Sequence, residues 1–140
     1  MENIRDYMVP GKRAHLIGIG GVSMSPLAEV LHRAGISVHG SDMRESEAVA
    51  HLRSLGIEVC IGHYPEIRTA AVHDDNPEIA AAHTKGLPIF ERAQAWGAIM
   101  QRYQNAVCIS GTHGKTTTTS MMTHITMAAA LDPTIMVGGT

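Results

Sequence analysis

The segment best suited to chemistry is a loop late in the chain, residues 110–117, which reads Ser-Gly-Thr-His-Gly-Lys-Thr-Thr. It follows an apolar run at residues 106–109 and precedes a helical pattern. A strand, a glycine-rich loop and a helix in this order are typical of nucleotide sites, because backbone N–H groups and the positive helix end face the phosphates. In such loops the lysine, here Lys115, reaches the outer phosphates, and the next hydroxyl, Thr116, binds Mg²⁺. We therefore expect Lys115 and Thr116 to be catalytic.

This loop departs from the pattern G-x-x-x-x-G-K-S/T at one position, since Ile109 stands where the first glycine belongs. Gly111 and Gly114 still allow the backbone to curl around an anion. An ordinary turn with a solvated lysine is the alternative, and the flanking strand and helix patterns favour phosphate binding. His113, inside the loop, either contacts the phosphates or points to solvent.

A second glycine motif, residues 18–23, follows the first apolar strand and opens the first helix. It approximates the dinucleotide fingerprint G-x-G-x-x-G, with Ser23 in place of the third glycine, and Asp42 follows about 20 residues later. NAD, FAD and a sugar-nucleotide diphosphate all satisfy this motif, and a simple tight turn is the alternative without a ligand. Two phosphate loops in one chain favour a ligase or kinase over a dehydrogenase, which has no use for the second loop.

Alternating strand and helix patterns position both loops. A parallel sheet with helices on both faces, a Rossmann-like α/β fold, follows from this alternation. The predicted strands are residues 15–19, 36–39, 57–61, 87–90, 106–109 and 134–137, and the predicted helices are residues 25–34, 46–55, 76–85, 91–103 and 115–131.

A domain boundary is expected near residues 104–105, which gives a domain at 1–104 and the start of another at 105–140. One helix and two strands cannot enclose a core. The second segment is therefore expected to be the truncated start of a further domain. The apolar side chains expected to stay partly in water there are Met121, Met122, Ile125 and Met127.

Composition narrows the classes of function. The chain has 140 residues, of which 44% are hydrophobic and 17% charged, a globular balance. A net charge of −2 gives no reason to expect nucleic acid or an anionic membrane as partner. Cys60 and Cys108 lie in separate apolar runs, which predicts buried thiols in a reducing cytoplasm. The nine histidines are scattered, so a histidine metal site is not expected.

Residues 14–42, the acidic run at 74–78 and residues 110–120 together resemble the Mur ligases, a family of ATP-dependent amide-forming ligases. The resemblance covers nearly the whole chain, from Lys12 to Thr140. It implies a Rossmann-like UDP-sugar-binding domain at residues 1–104 and, at residues 105–140, the truncated start of a P-loop ATPase-type α/β central domain that binds ATP. It favours the branch that joins L-alanine to the lactyl carboxylate of UDP-N-acetylmuramate through an acyl phosphate. A related branch that recycles muropeptides shares the phosphate loop and stays an alternative.

The resemblance also implies a role for individual residues and two cofactors, ATP and Mg²⁺ (on Thr116). The residues implied to bind ATP are Gly111, Thr112, His113, Gly114, Lys115, Thr116 and Thr117. The amides of Gly20, Gly21, Val22 and Ser23 would hold the UDP diphosphate. The residues implied to lie near the nucleoside are Ser41, Asp42, His63 and Thr69.

The chain differs from the family pattern in two places. Only residues 64–66 stand between His63 and Ile67, where the family has a loop and the start of a buried strand, so about eight residues are missing there. The other metal ligands and the amino-acid site are expected beyond Thr140, so the 140 residues alone are not expected to form the amide bond. A fragment that binds a UDP-sugar without turnover and an NAD-dependent oxidoreductase are the competing hypotheses.

Overall fold

The structure is a computed structural model that describes residues 3–63 and 76–137. The chain divides into two compact units, Met1–Arg102 and Tyr103–Thr140. Among the described residues, the first unit contains three strands, four α-helices and a short 3-10 helix, and the second contains one α-helix.

Three parallel strands form the sheet of the first unit, in the order β1 (Arg13–Ile17), β2 (Ser37–Asp42) and β3 (Glu58–Ile61). The predicted parallel α/β fold is therefore confirmed. In the register, Gly40 lies opposite both Leu16 and Val59. Because all three strands run the same way, the segments that follow them meet at one edge of the sheet, where α/β proteins place their ligands.

Four helices accompany the sheet: α1 (Met24–Arg33), α2 (Glu47–Ser54), α3 (Pro77–Thr84) and α4 (Arg92–Met100). The side chain of Ser46 accepts a hydrogen bond from the Val49 amide at 3.2 Å and so caps α2. Asn76 caps α3 in the same way, by accepting from the Glu78 amide at 2.7 Å.

The helices lie on both faces of the sheet, as predicted. Alternate strand residues, Leu16 and Val38 among them, belong to the main core with α1, α2 and α4. The opposite face carries Ile17, which packs against Ile79 of α3. Within the predicted second helix, Val49 and Leu52 are fully buried, but Leu55 is 36% exposed because it lies beyond the end of α2.

Three predicted strands are absent from the described residues. Residues 87–90, 106–109 and 134–137 are extended or irregular, because none of them hydrogen-bonds to a neighbouring strand there. The apolar character of these three runs was therefore not enough to predict strands, because a strand forms only where a neighbouring strand completes its hydrogen bonds.

The second unit is built around α5 (Lys115–Ala128). Its apolar side chains stay exposed, as predicted: Met121 61%, Met122 39%, Ile125 62% and Met127 61%. The expected burial of the two thiols is wrong for Cys108, which is exposed, while Cys60 is half-buried.

Candidate functional site

A turn at residues 18–23 joins β1 to α1 at the carboxyl edge of the sheet. The amides of Gly18 and Ile19 donate to the carbonyl of Ser41, at 2.7 and 3.0 Å. The Gly21 amide donates to the Gly18 carbonyl at 3.0 Å. The turn is thus anchored to the end of β2 and closed on itself.

Gly20 and Asp42 are in direct contact at this edge. The Gly20 amide donates to Asp42 Oδ2 at 2.9 Å, and the Arg44 amide donates to Asp42 Oδ1 at 3.1 Å. A Cβ on residue 20 would lie 2.8 Å from Val49 Cγ2 and 2.9 Å from Asp42 Oδ2. Only glycine fits this approach, so the motif glycine holds the turn against the second strand.

Two of the four amides expected to hold a diphosphate remain open. Gly20 and Gly21 already have protein acceptors, whereas the Val22 and Ser23 amides have none within residues 3–63 and 76–137. Val22 is 57% exposed, and both residues lead directly into α1. Open amides at a helix N-terminus attract anions, so the anion-binding capacity of the turn lies at these two residues.

Helix α4 contacts the turn through two side chains whose role was not predicted from the sequence. Arg92 Nη1 donates to Ser23 Oγ at 2.6 Å, and the Trp96 indole donates to the Ser23 carbonyl at 3.3 Å. The contact of Arg92 could not be predicted from the sequence, because no sequence pattern indicates that α4 begins beside the turn.

A polar cluster lies beneath the same edge, around the fully buried carboxylate of Glu78. Ser41 Oγ donates to Glu78 Oε2 at 2.7 Å, and His15 Nε2 lies 3.8 Å from that oxygen. His63 Nδ1 lies 3.9 Å from Glu78 Oε1. The cluster therefore joins the ends of all three strands to the start of α3.

His39 of β2 packs edge-on against His15, with ring centroids 4.9 Å apart. Burial lowers the pKa of His39, and the positive charge of Arg13 lowers it further, whereas Glu58 acts in the opposite direction. Both rings lie on the face of the sheet that carries Glu78.

The residues implied to lie near a nucleoside differ in how exposed their side chains are. Ser41 is 2% exposed and its hydroxyl is directed to Glu78, while Asp42 is half-buried. The side chain of His63 is 45% exposed. Thr69 lies outside the described residues. Asp42 and His63 are thus the members of this set that a ligand at the edge could reach in the described part of the chain.

The phosphate loop lies in the second unit, directly before α5. Gly114 has a φ of +77° and serves as the N-cap, and the helix starts with the Thr118 amide donating to its carbonyl at 2.9 Å. Lys115 Nζ donates to the carbonyls of Gly111 at 2.6 Å and Thr112 at 3.3 Å. The ammonium group is thereby held over the curl of the loop.

This loop fits the phosphates of a nucleotide and one magnesium ion. A Cβ on Gly111 would lie 3.3 Å from the His113 carbonyl, so the tight curl favours glycine there. The groups that would hold the phosphates and the metal ion are the cation of Lys115 and the hydroxyls of Thr116 and Thr117 in the first turn of α5. A hydroxyl oxygen is a ligand type that Mg²⁺ takes alongside water and phosphate oxygens.

The described residues contain neither a cluster of metal ligands nor a helix suited to a membrane. No three His, Cys, Asp or Glu side chains there are grouped in a way that could hold a metal ion. No helix in the same residues has the length and apolar character needed to cross a membrane.

Comparison with known proteins gives several relatives for this chain. It is 51% identical over 136 residues to the UDP-N-acetylmuramate–L-alanine ligase of Clostridium beijerinckii, a match covering 91% of this chain and 30% of the relative. The Clostridium tetani enzyme of the same name is 48% identical over 142 residues, covering 96% and 31%. The chain thus spans about 30% of the length of the curated relatives it matches.

A solved structure agrees with these relatives. The UDP-N-acetylmuramate–alanine ligase MurC of Thermotoga maritima matches with a TM-score of 0.81 and 37% identity, covering 91% of this chain and 32% of that one. The sequence model described as "Mur ligase family, catalytic domain" matches residues 13–104, which is more than half of the chain. The chain therefore belongs to the Mur ligase family.

Proposed function

We propose that the chain is part of an ATP-dependent ligase that joins L-alanine to the lactyl carboxylate of UDP-N-acetylmuramate. The observation that best supports this proposal is the presence of two glycine loops suited to phosphates, one at the edge of a Rossmann-like sheet and one before α5. The names of relatives at 48–51% identity support this substrate pair. Because the chain spans about 30% of their length, the whole reaction is proposed for a protein of the relatives' size.

The first unit would bind the UDP-sugar through the turn at residues 18–23. The open amides of Val22 and Ser23 would face the diphosphate, and α1 would add the positive end of its dipole. Arg92, bonded to Ser23 Oγ at 2.6 Å, would place a guanidinium beside the same phosphates. Of the four residues expected to hold the diphosphate, Val22 and Ser23 would make the main contacts through their amides, rather than Gly20 and Gly21.

The second unit would bind ATP through Gly111, Thr112, His113, Gly114, Lys115, Thr116 and Thr117. Bound MgATP would supply the phosphoryl group that activates the carboxylate. Lys115 would hold its positive charge at the outer phosphates, and Thr116 would hold the metal ion. The chain needs no nucleophilic side chain for such a reaction, because orientation and charge stabilisation carry it.

The 140 residues alone are proposed to bind these nucleotides without forming the amide bond. Purified chain should show no alanine-dependent ATP hydrolysis, and appreciable turnover would contradict this part of the proposal. The cytoplasm is the proposed location, where UDP-sugars and ATP are available.

Ligand-induced thermal stabilisation tests the binding proposal. UDP-N-acetylmuramate should raise the melting temperature by several degrees, since a ligand at about 100 times its Kd adds about 2.7 kcal/mol of stability. A shift with NAD alone would favour an oxidoreductase instead.

A muropeptide ligase is the second candidate within the family. A solved ligase of this type from Neisseria meningitides, UDP-N-acetylmuramate:L-alanyl-gamma-D-glutamyl-meso-diaminopimelate ligase, matches with 30% identity and a TM-score of 0.77, covering 91% of this chain and 43% of that one. The higher identity to the alanine ligases favours alanine as the second substrate.

A further inference from the structure

A cavity of about 300 Å³ lies within the first unit. The described residues that line it come mainly from β1, α1, the start of α4, the segment before α4, and the N-terminal region that includes the short 3-10 helix (Ile4–Asp6). None of these lining residues belongs to either glycine loop. Protein interiors leave few voids larger than a water molecule, and ligand pockets begin at about this volume. The cavity is therefore a candidate site for a further ligand.

Most of the side chains that line the cavity are apolar. Leu27 and Leu31 come from α1, Ala95 from α4, and Ala14 and Leu16 from β1. An apolar cavity of about 150 Å³ stays dry and binds benzene. The cavity in this chain therefore has room for an apolar body about twice as large, such as two fused aromatic rings or a chain of about eight carbons.

Packed contacts at one side of the cavity hold its shape. The rings of Tyr7 and Phe90, which both line it, have centroids 5.5 Å apart. Met8, also in the lining, is 5% exposed, and its carbonyl accepts a hydrogen bond from Arg102, just beyond α4. These contacts fix the N-terminal region to the segments before and after α4. The walls are therefore formed before a ligand binds, as is usual for small-molecule sites.

The ionised side chains that line the cavity are mostly cationic, with Lys12, Arg13 and Arg92 against Glu91. Arg92 donates to Ser23 Oγ at 2.6 Å and so belongs to the proposed UDP-sugar site. Lys12 and Arg13 lie where β1 begins and are exposed, so the cavity reaches solvent beside their charges. An anionic head stays hydrated at this rim while the apolar part of the same ligand is buried, which avoids the cost of burying a charge.

We propose that this cavity binds a small amphipathic anion, with its apolar part among the side chains of α1, α4 and β1 and its carboxylate or similar head beside Lys12 and Arg13. Such a ligand matches the volume, the apolar lining and the cationic rim together. A neutral apolar molecule matches only the volume and the lining, and a nucleotide is too polar for the lining. The site is separate from both glycine loops, so it does not rest on the proposed ligase function.

The test titrates the ¹⁵N-labelled chain with octanoate and, separately, with the uncharged 1-octanol. Octanoate should change the amide chemical shifts of cavity residues, Ala14, Leu27 and Ala95 among them. Its Kd should be about millimolar or tighter, the range for a ligand of about ten non-hydrogen atoms. Neutralising the rim in the double variant Lys12→Gln/Arg13→Gln should weaken octanoate binding up to about fivefold, the size of an exposed ion pair. The affinity for 1-octanol should stay unchanged in that variant.

Variants that fill the cavity test the position of the ligand. Ala95→Leu, from α4, should weaken binding of both probes at least about tenfold, because its added carbons take the ligand's space. Its melting temperature should equal or exceed that of wild type, since filling a cavity commonly stabilises a protein. Ala50→Leu is the matched control, because it makes the same change at an exposed position of α2 and should bind both probes like wild type.

Three outcomes would overturn the proposal. Amide shifts that leave the cavity residues unchanged would refute the site. Undiminished binding by Ala95→Leu would show that the probes bind elsewhere, and Ala14→Leu, from β1, decides in the same way if Ala95→Leu does not fold. An equal response of octanoate and 1-octanol to the loss of the two rim charges would refute the anionic class of ligand. None of these results bears on UDP-sugar binding, which a separate titration measures.

Discussion

The Gly20 amide donates a hydrogen bond to the Asp42 carboxylate at 2.9 Å, across 22 positions of the sequence. This contact joins the glycine turn after β1 to the end of β2. It gives the acid of a dinucleotide-type motif a structural role before any ligand binds, because its two oxygens accept from the Gly20 and Arg44 amides.

Replacing this acid tests its structural role. Asp42→Ala should lower the free energy of unfolding by about 1–3 kcal/mol, because two backbone amides lose a charged acceptor. Urea denaturation of the purified chain measures the change. Asp6→Asn, at an exposed acid of the same unit, should have no measurable effect, and an equal loss in both variants would contradict the assignment.

The close approach at Gly20 predicts a steric effect. Gly20→Ala would place Cβ 2.8 Å from Val49 Cγ2 and 2.9 Å from Asp42 Oδ2, and such overpacking costs about 1–3 kcal/mol of stability. Gly97→Ala is the matched control, because a Cβ there meets nothing within 4 Å inside α4. The control should be neutral or stabilise the chain by up to about 1 kcal/mol. Equal melting temperatures for the two variants would show that the turn is not tightly packed.

The buried His39 predicts a loss of stability in acid. Its pKa in the folded chain lies below the ordinary value of 6.5, so the unfolded chain takes up this proton first as pH falls. Protonation of His39 therefore does not oppose folding above pH 6.5. The free energy of unfolding decreases as pH falls from that value through the lower pKa of the folded state. Urea denaturation at a series of pH values should show the decline in wild type and a shallower one in His39→Gln. Parallel declines would contradict the prediction.

Lys115 should determine the affinity for ATP. Its ammonium is held over the loop by the Gly111 and Thr112 carbonyls, so Lys115→Ala removes the charge nearest the proposed phosphates. We expect ATP affinity to fall at least about tenfold, the size of a charge-assisted hydrogen bond. Lys85→Ala, just beyond α3 in the other unit, should bind ATP like wild type. Unchanged binding by Lys115→Ala would remove the loop from the proposed function.

The sequence predicted those parts of the fold that local patterns determine. Both glycine loops and the alternation of the first three strands with helices are short-range features, and the structure contains them. The apolar runs at 87–90, 106–109 and 134–137 were wrongly predicted as strands, because pairing depends on a distant partner. Cys108, in one of these runs, was expected to be buried and is exposed for the same reason.

The sequence also predicted the candidate site only in part. The motif identified the turn but not which of its amides are open, since the Gly20 amide is taken by a carboxylate 22 positions away. Arg92 is 69 positions from the Ser23 hydroxyl it contacts, and Glu78 is 37 positions from Ser41. Contacts of such range come only from the folded chain. The residues that bind UDP-sugar and ATP, and the boundary near residue 104, stay predictions.

The central claim is that the turn at residues 18–23 holds the diphosphate of a UDP-sugar. Amide chemical shifts of the ¹⁵N-labelled chain, titrated with UDP-N-acetylmuramate and separately with NAD, test it most directly. If this claim is right, the largest changes in chemical shift with UDP-N-acetylmuramate will fall on the open amides of Val22 and Ser23, with smaller ones at Gly20 and Gly21. Shifts at these residues with NAD alone, or shifts with UDP-N-acetylmuramate that leave Val22 and Ser23 unchanged, would contradict it.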